Sequence, residues 1–127
     1  IPERDGILSG LLFLDLLVRK QKSPSQLLEN LYSKVGPHYY KRIDIEFPAS
    51  ERGVIIPRLN MSRPSNIKNT AVTGIETSDG FRYLLADRNW LLIRFSGTEP
   101  ILRVYAESDS IARVDGFLQA GREMVGV

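Results

Sequence analysis

The run Arg94-Phe95-Ser96-Gly97-Thr98-Glu99-Pro100 concentrates more chemistry than any other part of the chain. Trp90 to Phe95 reads as a strand, and alternation puts Trp90, Leu92 and Arg94 on one face and Leu91, Ile93 and Phe95 on the other. Arg94 then stands at the end of a strand, beside a turn of small hydroxyl residues. A guanidinium is a rigid fork that matches two phosphate oxygens at once. Ser96 and Thr98 add hydroxyls, and the turn releases backbone N–H groups from the strand ladder. Gly97 tolerates a positive φ and lets an anion approach the main chain, so successive N–H groups can curl into an anion-binding nest. These parts suit a phosphate dianion without a metal. The competing reading is an ordinary hairpin turn, with Arg94 solvated and Glu99 paired to Arg103. The run lacks the spaced glycines and Lys-Ser/Thr ending of a nucleotide-binding P-loop and leads into a strand, so nucleoside triphosphate binding is not expected.

The elements around this run follow from period and punctuation. Residues 5–20 are apolar on almost every helical face, from Ile7 and Leu8 through Leu17 and Val18, which predicts a buried helix. Ser23-Pro24-Ser25-Gln26 has the N-cap, first-position proline and capping-box glutamine of a second helix start. Gly36-Pro37 stops that helix and marks the expected domain boundary or hinge. From Tyr40 to Phe47, Ile43, Ile45 and Phe47 alternate with Arg42, Asp44 and Glu46, the rhythm of a half-buried strand. Residues 50–60 read as a short helix weakened by Gly53 and Pro57, since an interior proline costs about 3 kcal/mol. Arg63 to Asn66 reads as loop. Ala71–Thr77 and Phe81–Ala86 flank Asp79-Gly80, a two-residue hairpin signal. Asp87-Arg88-Asn89 turns into Trp90–Phe95, and Ile101–Glu107 is a further strand. Asp109 or Ser110 caps a last helix with an apolar stripe of Ile111, Val114, Phe117, Leu118, Gly121 and Val125. The expected fold is α+β, an antiparallel four-stranded sheet with helices on one face.

The 127 residues are 43% hydrophobic and 25% charged, a globular composition, with a formal net charge of +2. The basic residues are scattered singly or in pairs, which argues against nucleic acid as a partner. No cysteine is present, so disulfides and thiolate metal sites are excluded, and a cytoplasmic location is expected. The apolar run Ile7–Val18 is too short to span a bilayer and holds Asp15, so no membrane partner is expected. The residues before it, Pro2-Glu3-Arg4-Asp5, lack the basic cluster of a secretion signal. Ile1 in place of an initiator Met points to a piece of a longer protein. His38, the one histidine, lies in the linker and reads as a surface or packing residue, and Asp44 and Glu46 read as solvated same-face strand positions.

Arg94-x-Ser96-Gly97-Thr98-Glu99-Pro100 followed by Leu102-Arg103-Val104-Tyr105 strongly resembles the C-terminal phosphate-binding loop of the α-D-phosphohexomutases. Phosphoglucomutases, phosphomannomutases and phosphoglucosamine mutases belong to that family. Asp79-Gly80, Trp90 to Arg94 and Val104 to Glu107 extend the resemblance. Ile1 to Leu8 resembles the stretch that follows the family's sugar-recognition loop and enters the last helix of its third domain. The resemblance implies that residues 1–36 end that third domain and include the hinge. Residues 37–127 would then form the C-terminal phosphate-binding domain, with a TATA-binding-protein-like fold, closing over the sugar like a lid. It implies a mutase that interconverts hexose 6-phosphate and hexose 1-phosphate through a bisphosphorylated intermediate, with Mg2+ in the full-length enzyme. The implied partners are the hexose phosphate and the upstream domains of the same chain. The implied phosphate-binding residues are Arg94, Ser96, Gly97, Thr98, Glu99 and Arg103, with Arg94 the main charge partner and Arg103 a second-rank candidate or the partner of Glu99. Glu99 more naturally supports the loop than touches a dianion it repels. Phe95 departs from the Pro or Ala of many members but faces away from Arg94, and the Gly53/Pro57 segment departs from a smooth family helix. The phosphoserine loop, the Asp-rich magnesium loop and the Gly-Glu-x-Ser sugar loop find no match, so this piece alone is expected to be catalytically inactive, with no cofactor of its own. Two other readings stand beside this one: a non-catalytic regulatory module that binds a phospho-ligand, and a dimerisation domain built on residues 5–35.

Overall fold

The computed structural model describes residues 5–126, so the Ile1–Arg4 part of the family-like opening lies outside it. The chain divides into two compact units, one ending at Gly36 and the other beginning at Pro37.

The first unit is two helices, α1 (Gly6–Lys20) and α2 (Pro24–Val35). Asp5 caps α1 by accepting from the Leu8 N–H at 2.9 Å. At the other end Gln21 takes φ 49°, a left-handed stop. Ser23 and Gln26 form the reciprocal capping box read from their spacing, with Pro24 inside the first turn. The expectation that α1 is buried fails within this unit. No residue of either helix is buried, and Ile7, Leu12 and Val18 are more than 60% exposed. The reason is geometric: α1 is apolar nearly all round, and a single neighbouring helix cannot cover every face of it.

The second unit is a mixed layer of sheet and helix. Its strands are β1 (Tyr39–Glu46), β2 (Asn66–Ile67), β3 (Thr70–Glu76), β4 (Phe81–Leu85), β5 (Trp90–Phe95) and β6 (Ile101–Ser108), and its helices are α3 (Arg52–Met61) and α4 (Ile111–Val125). The sheet runs in the order β1-β6-β5-β4-β3-β2, with every pair antiparallel. The α+β class is as expected, but the sheet has six strands where four were expected. The first strand pairs with the last and joins the meander's sheet, and a two-residue strand adds the far edge. That edge strand lies where a loop was expected. It turns back through Lys68 and Asn69, whose φ values of 44° and 64° give the doubly left-handed bend of a tight hairpin.

One face of the sheet is the core. Leu91, Ile93, Leu102, Val104 and Ala106 are fully buried, and α4 packs against β6, β1 and β5. Ser110 caps α4, and its Val114, Phe117, Leu118 and Val125 are buried, whereas Ile111 in the first turn is half exposed and drops out of the expected stripe. Helix α3 forms despite Gly53 and Pro57, because Ile55 and Leu59, one turn apart, are buried at 2% and 0% exposure. Arg58 ties it further by donating from Nη1 to the Val125 carbonyl at 2.6 Å. Tertiary burial here overrides weak intrinsic propensity.

Gly121 sets how closely α4 approaches the sheet. A Cβ there would lie 2.5 Å from Val104 Cγ1 and 3.3 Å from Leu91 Cδ1, both on fully buried residues. Gly121→Ala therefore has to push helix and sheet apart, at a cost of about 1–3 kcal/mol despite alanine's better helix propensity. Thermal unfolding checks this; an unchanged or raised midpoint would show that α4 has room to spare.

Candidate functional site

Strand β5 delivers Arg94 and strand β6 delivers Arg103. The burial pattern follows the alternation expected of β5, with Leu91 and Ile93 buried and Arg94 exposed. Phe95 turns away from Arg94 and packs edge-on against Phe47 at 5.6 Å between ring centroids, with the Arg52 guanidinium 5.1 Å from its own. The aromatic at this position thus serves the packing beneath the loop.

The loop itself is closed at its base. The Ser96 N–H donates to the Ile101 carbonyl at 2.8 Å, and the Ile101 N–H donates to the Glu99 carbonyl at 2.8 Å, a three-residue turn around Pro100. From the other side, the Phe47 N–H reaches the Pro100 carbonyl at 3.2 Å, so the end of β1 holds the loop as well. Among the described residues, the amides of Gly97, Thr98 and Glu99 donate to no partner. Three successive free N–H groups are thus exposed directly after an arginine-bearing strand. Ser96 is buried at 6% exposure, whereas Gly97, Thr98 and Glu99 are exposed.

Gly97 departs from expectation. Its φ is not in the left-handed region, which Gly36, Gly80 and Gly126 occupy, so the left-handed nest expected at Gly97 is not formed. The glycine contributes space instead, with nothing within 4 Å of where a Cβ would stand.

Arg94 and Arg103 are direct partners across the β5–β6 ladder. Like charges directly opposite in a sheet repel, unless something of opposite sign sits with them. Each has one carboxylate neighbour. Arg94 Nε lies 3.1 Å from Asp79 Oδ1, and an Arg103 Nη lies 3.9 Å from Glu99 Oε2. Arg103 Nε is buried and has no hydrogen-bond partner among the described residues. The competing assignment of Glu99 to Arg103 is therefore met only at long range. Two of the positions read as lying outside the site make ion pairs. His38 Nδ1 is 2.9 Å from Glu107, and Asp44 pairs with Arg42 at 2.9 Å.

Asp79 is the residue whose place beside the site sequence reasoning missed, having been read as a turn former and as part of the wider resemblance. The available signal was register: Phe81 opposite Ile93 brings the residues just before Phe81 alongside Arg94. The hairpin loop is also longer than the two residues expected, spanning positions 77–80 between β3 and β4.

Residues 39–123 match the family model described as phosphoglucomutase/phosphomannomutase, C-terminal domain. The chain belongs to this family of phosphohexomutase C-terminal domains. It is 26% identical over 123 residues to a phosphoglucomutase/phosphomannomutase of Thermococcus kodakarensis, covering 96% of this chain and 24% of that protein. It is 31% identical over 122 residues to a phosphoglucosamine mutase of Methanococcus aeolicus, covering 95% and 25%. A phosphoglucomutase of Komagataeibacter xylinus is 29% identical over 118 residues, covering 84% and 20%. The chain thus spans about a quarter or less of the length of these curated relatives. No helix among the described residues is long and apolar enough to cross a membrane, and none of their acidic, histidine or cysteine side chains cluster to hold a metal ion.

Proposed function

We propose that the unit from Pro37 onward grips the phosphate of a hexose phosphate in a mutase that interconverts the 6- and 1-phosphates. The observation that carries this reading is the opposed pair Arg94 and Arg103 beside three free loop amides. A dianion answers both: it offsets the like-charge contact, accepts from the guanidinium groups and accepts from the amides. Ser96 and Thr98 supply hydroxyls on the same loop, and Glu99 holds the far side of Arg103.

On this reading the chain binds and positions but makes no bond. The gripped phosphate is the one not being transferred, and its binding energy orients the reacting end of the sugar. Because the sugar must be held by either end during the two half-reactions, the grip reads charge and not the carbon that carries it. Residues 1–36 belong to the end of the preceding domain. The sugar, the phosphoserine and the Mg2+ expected of the whole enzyme are the business of upstream domains, and the phosphate grip calls on no metal. A mutase acting on glucose, mannose or glucosamine phosphates is equally compatible with these residues, as the range of mutase names among the relatives illustrates.

The test is a titration of isotope-labelled chain with inorganic phosphate and with glucose 6-phosphate, following backbone amides. Both ligands are expected to shift residues 94–99 with weak, millimolar-range affinity, since only one end of the sugar phosphate is held. Saturating ligand without movement of the Gly97, Thr98 and Glu99 amides would refute the assignment.

A further inference from the structure

Gly80 takes φ 96°, and a Cβ on it would lie 2.6 Å from the Ile93 carbonyl oxygen and 3.2 Å from Arg94 Cα. Only a glycine lets the β3–β4 loop rest on the β5 backbone at that distance. The preceding residue, Asp79, is therefore brought to Arg94 by main-chain packing and not by a chance encounter of two long side chains. Its Oδ1 stands 3.1 Å from Arg94 Nε. The two side chains are 48% and 70% exposed, and an ion pair in that setting adds little to stability. Its consequence lies in what it does to the arginine. Among the described residues, no nitrogen of Arg94 donates a hydrogen bond: the contact at Nε is a charge contact, and the two terminal nitrogens have no protein acceptor. An arginine free in solvent loses rotamer freedom when it engages a ligand, whereas one already tethered at Nε has lost part of it beforehand.

We propose that Asp79 is a positioning residue for Arg94, holding Nε so that the two terminal nitrogens face an incoming phosphate. The proposal rests on the phosphate reading of the loop. Asp79 acts through the arginine and does not itself touch the ligand, which its charge would repel. The Nε contact is an ion pair and not a directed hydrogen bond, so the carboxylate's charge is what holds the arginine, and an uncharged acceptor in its place should hold it poorly.

The test uses the 127-residue chain, with inorganic phosphate as the probe. In ligand-free protein, the Arg94 Nε–Hε resonance is expected to be dispersed and ordered in the wild type. Asp79→Ala should make it mobile, and Asp79→Glu, which keeps the charge, should keep it ordered. Asp79→Ala is expected to weaken phosphate binding about two- to tenfold, the cost of ordering one side chain, and Asp79→Glu to stay within about twofold of wild type. Position 79 is an exposed turn, so both variants should fold, and unchanged amide spectra of β5 and β6 would confirm it. An Asp79→Ala protein that keeps an ordered Arg94 Nε–Hε, or binds phosphate as tightly as wild type or tighter, would overturn the positioning role alone. A wild type with no phosphate-dependent shifts would overturn the phosphate reading, and with it this use of Asp79.

Discussion

Arg94→Ala is expected to abolish detectable phosphate binding at the loop, while leaving the fold and its thermal midpoint nearly unchanged. The side chain is half exposed and stands at a strand end, so little packing is lost with it. What goes is the main charged donor. A hydrogen bond to a charged group contributes about 1.5–3 kcal/mol, a factor of about ten to over a hundred in affinity. Applied to a millimolar site, that puts binding beyond titration. Arg103→Ala should act in the same direction, and it also removes the buried Nε that lacks a partner, so its effect on stability should be small or favourable. The two substitutions thus separate the cradle from the scaffold: both weaken phosphate-dependent amide shifts, and neither melts the sheet. If Arg94→Ala retained wild-type shifts at Gly97, Thr98 and Glu99, the loop would be a structural hairpin after all.

Gly80→Ala has the largest expected effect on the fold near the site. Two penalties coincide there. The φ of 96° is one that residues with a side chain rarely adopt, at about 1–3 kcal/mol. The added methyl also meets a backbone oxygen at 2.6 Å, and backbone inside a sheet cannot rotate away as a side chain could. Overpacking of that kind costs about another 1–3 kcal/mol. Together they should lower the thermal midpoint by about 8 °C or more for a unit of this size. Gly97→Ala provides the contrast, because its position has open space and no left-handed φ. It should leave the midpoint within about 2 °C. Equal midpoints for the two variants would mean that the β3–β4 loop yields easily, and that Asp79 is not held in place by the backbone.

Where the sequence could be read alone, the reading rested on local rules. Alternation identified the faces of β1 and β5, the Ser23/Gln26 spacing identified the start of α2, and the apolar stripe of α4 was correct apart from Ile111. The Arg94–Pro100 run was recognisable because its residue types and order are a chemical statement in themselves. The strand count failed where structure is made by distant partners. Two residues at Asn66–Ile67 have no period to detect, and their left-handed turn uses a lysine that carries no turn signal. The weak helix at Arg52–Met61 could be placed but not trusted, since burial of Ile55 and Leu59 and not propensity holds it.

The amino-acid order by itself determined that this chain carries an arginine-hydroxyl-glycine loop at a strand end, on an α+β scaffold of the phosphohexomutase C-terminal kind. Only the tertiary structure decided what surrounds that arginine. Arg103 lies directly across from it because β5 and β6 pair in one register, and Asp79 reaches it because Gly80 lets a loop settle on the β5 backbone. It also decided that Gly97 offers space and free amides where a left-handed nest was expected. The physical reason is the same in each case. Residue type and period act within a few positions, whereas register and close backbone approach are set by the packing of segments far apart in the chain.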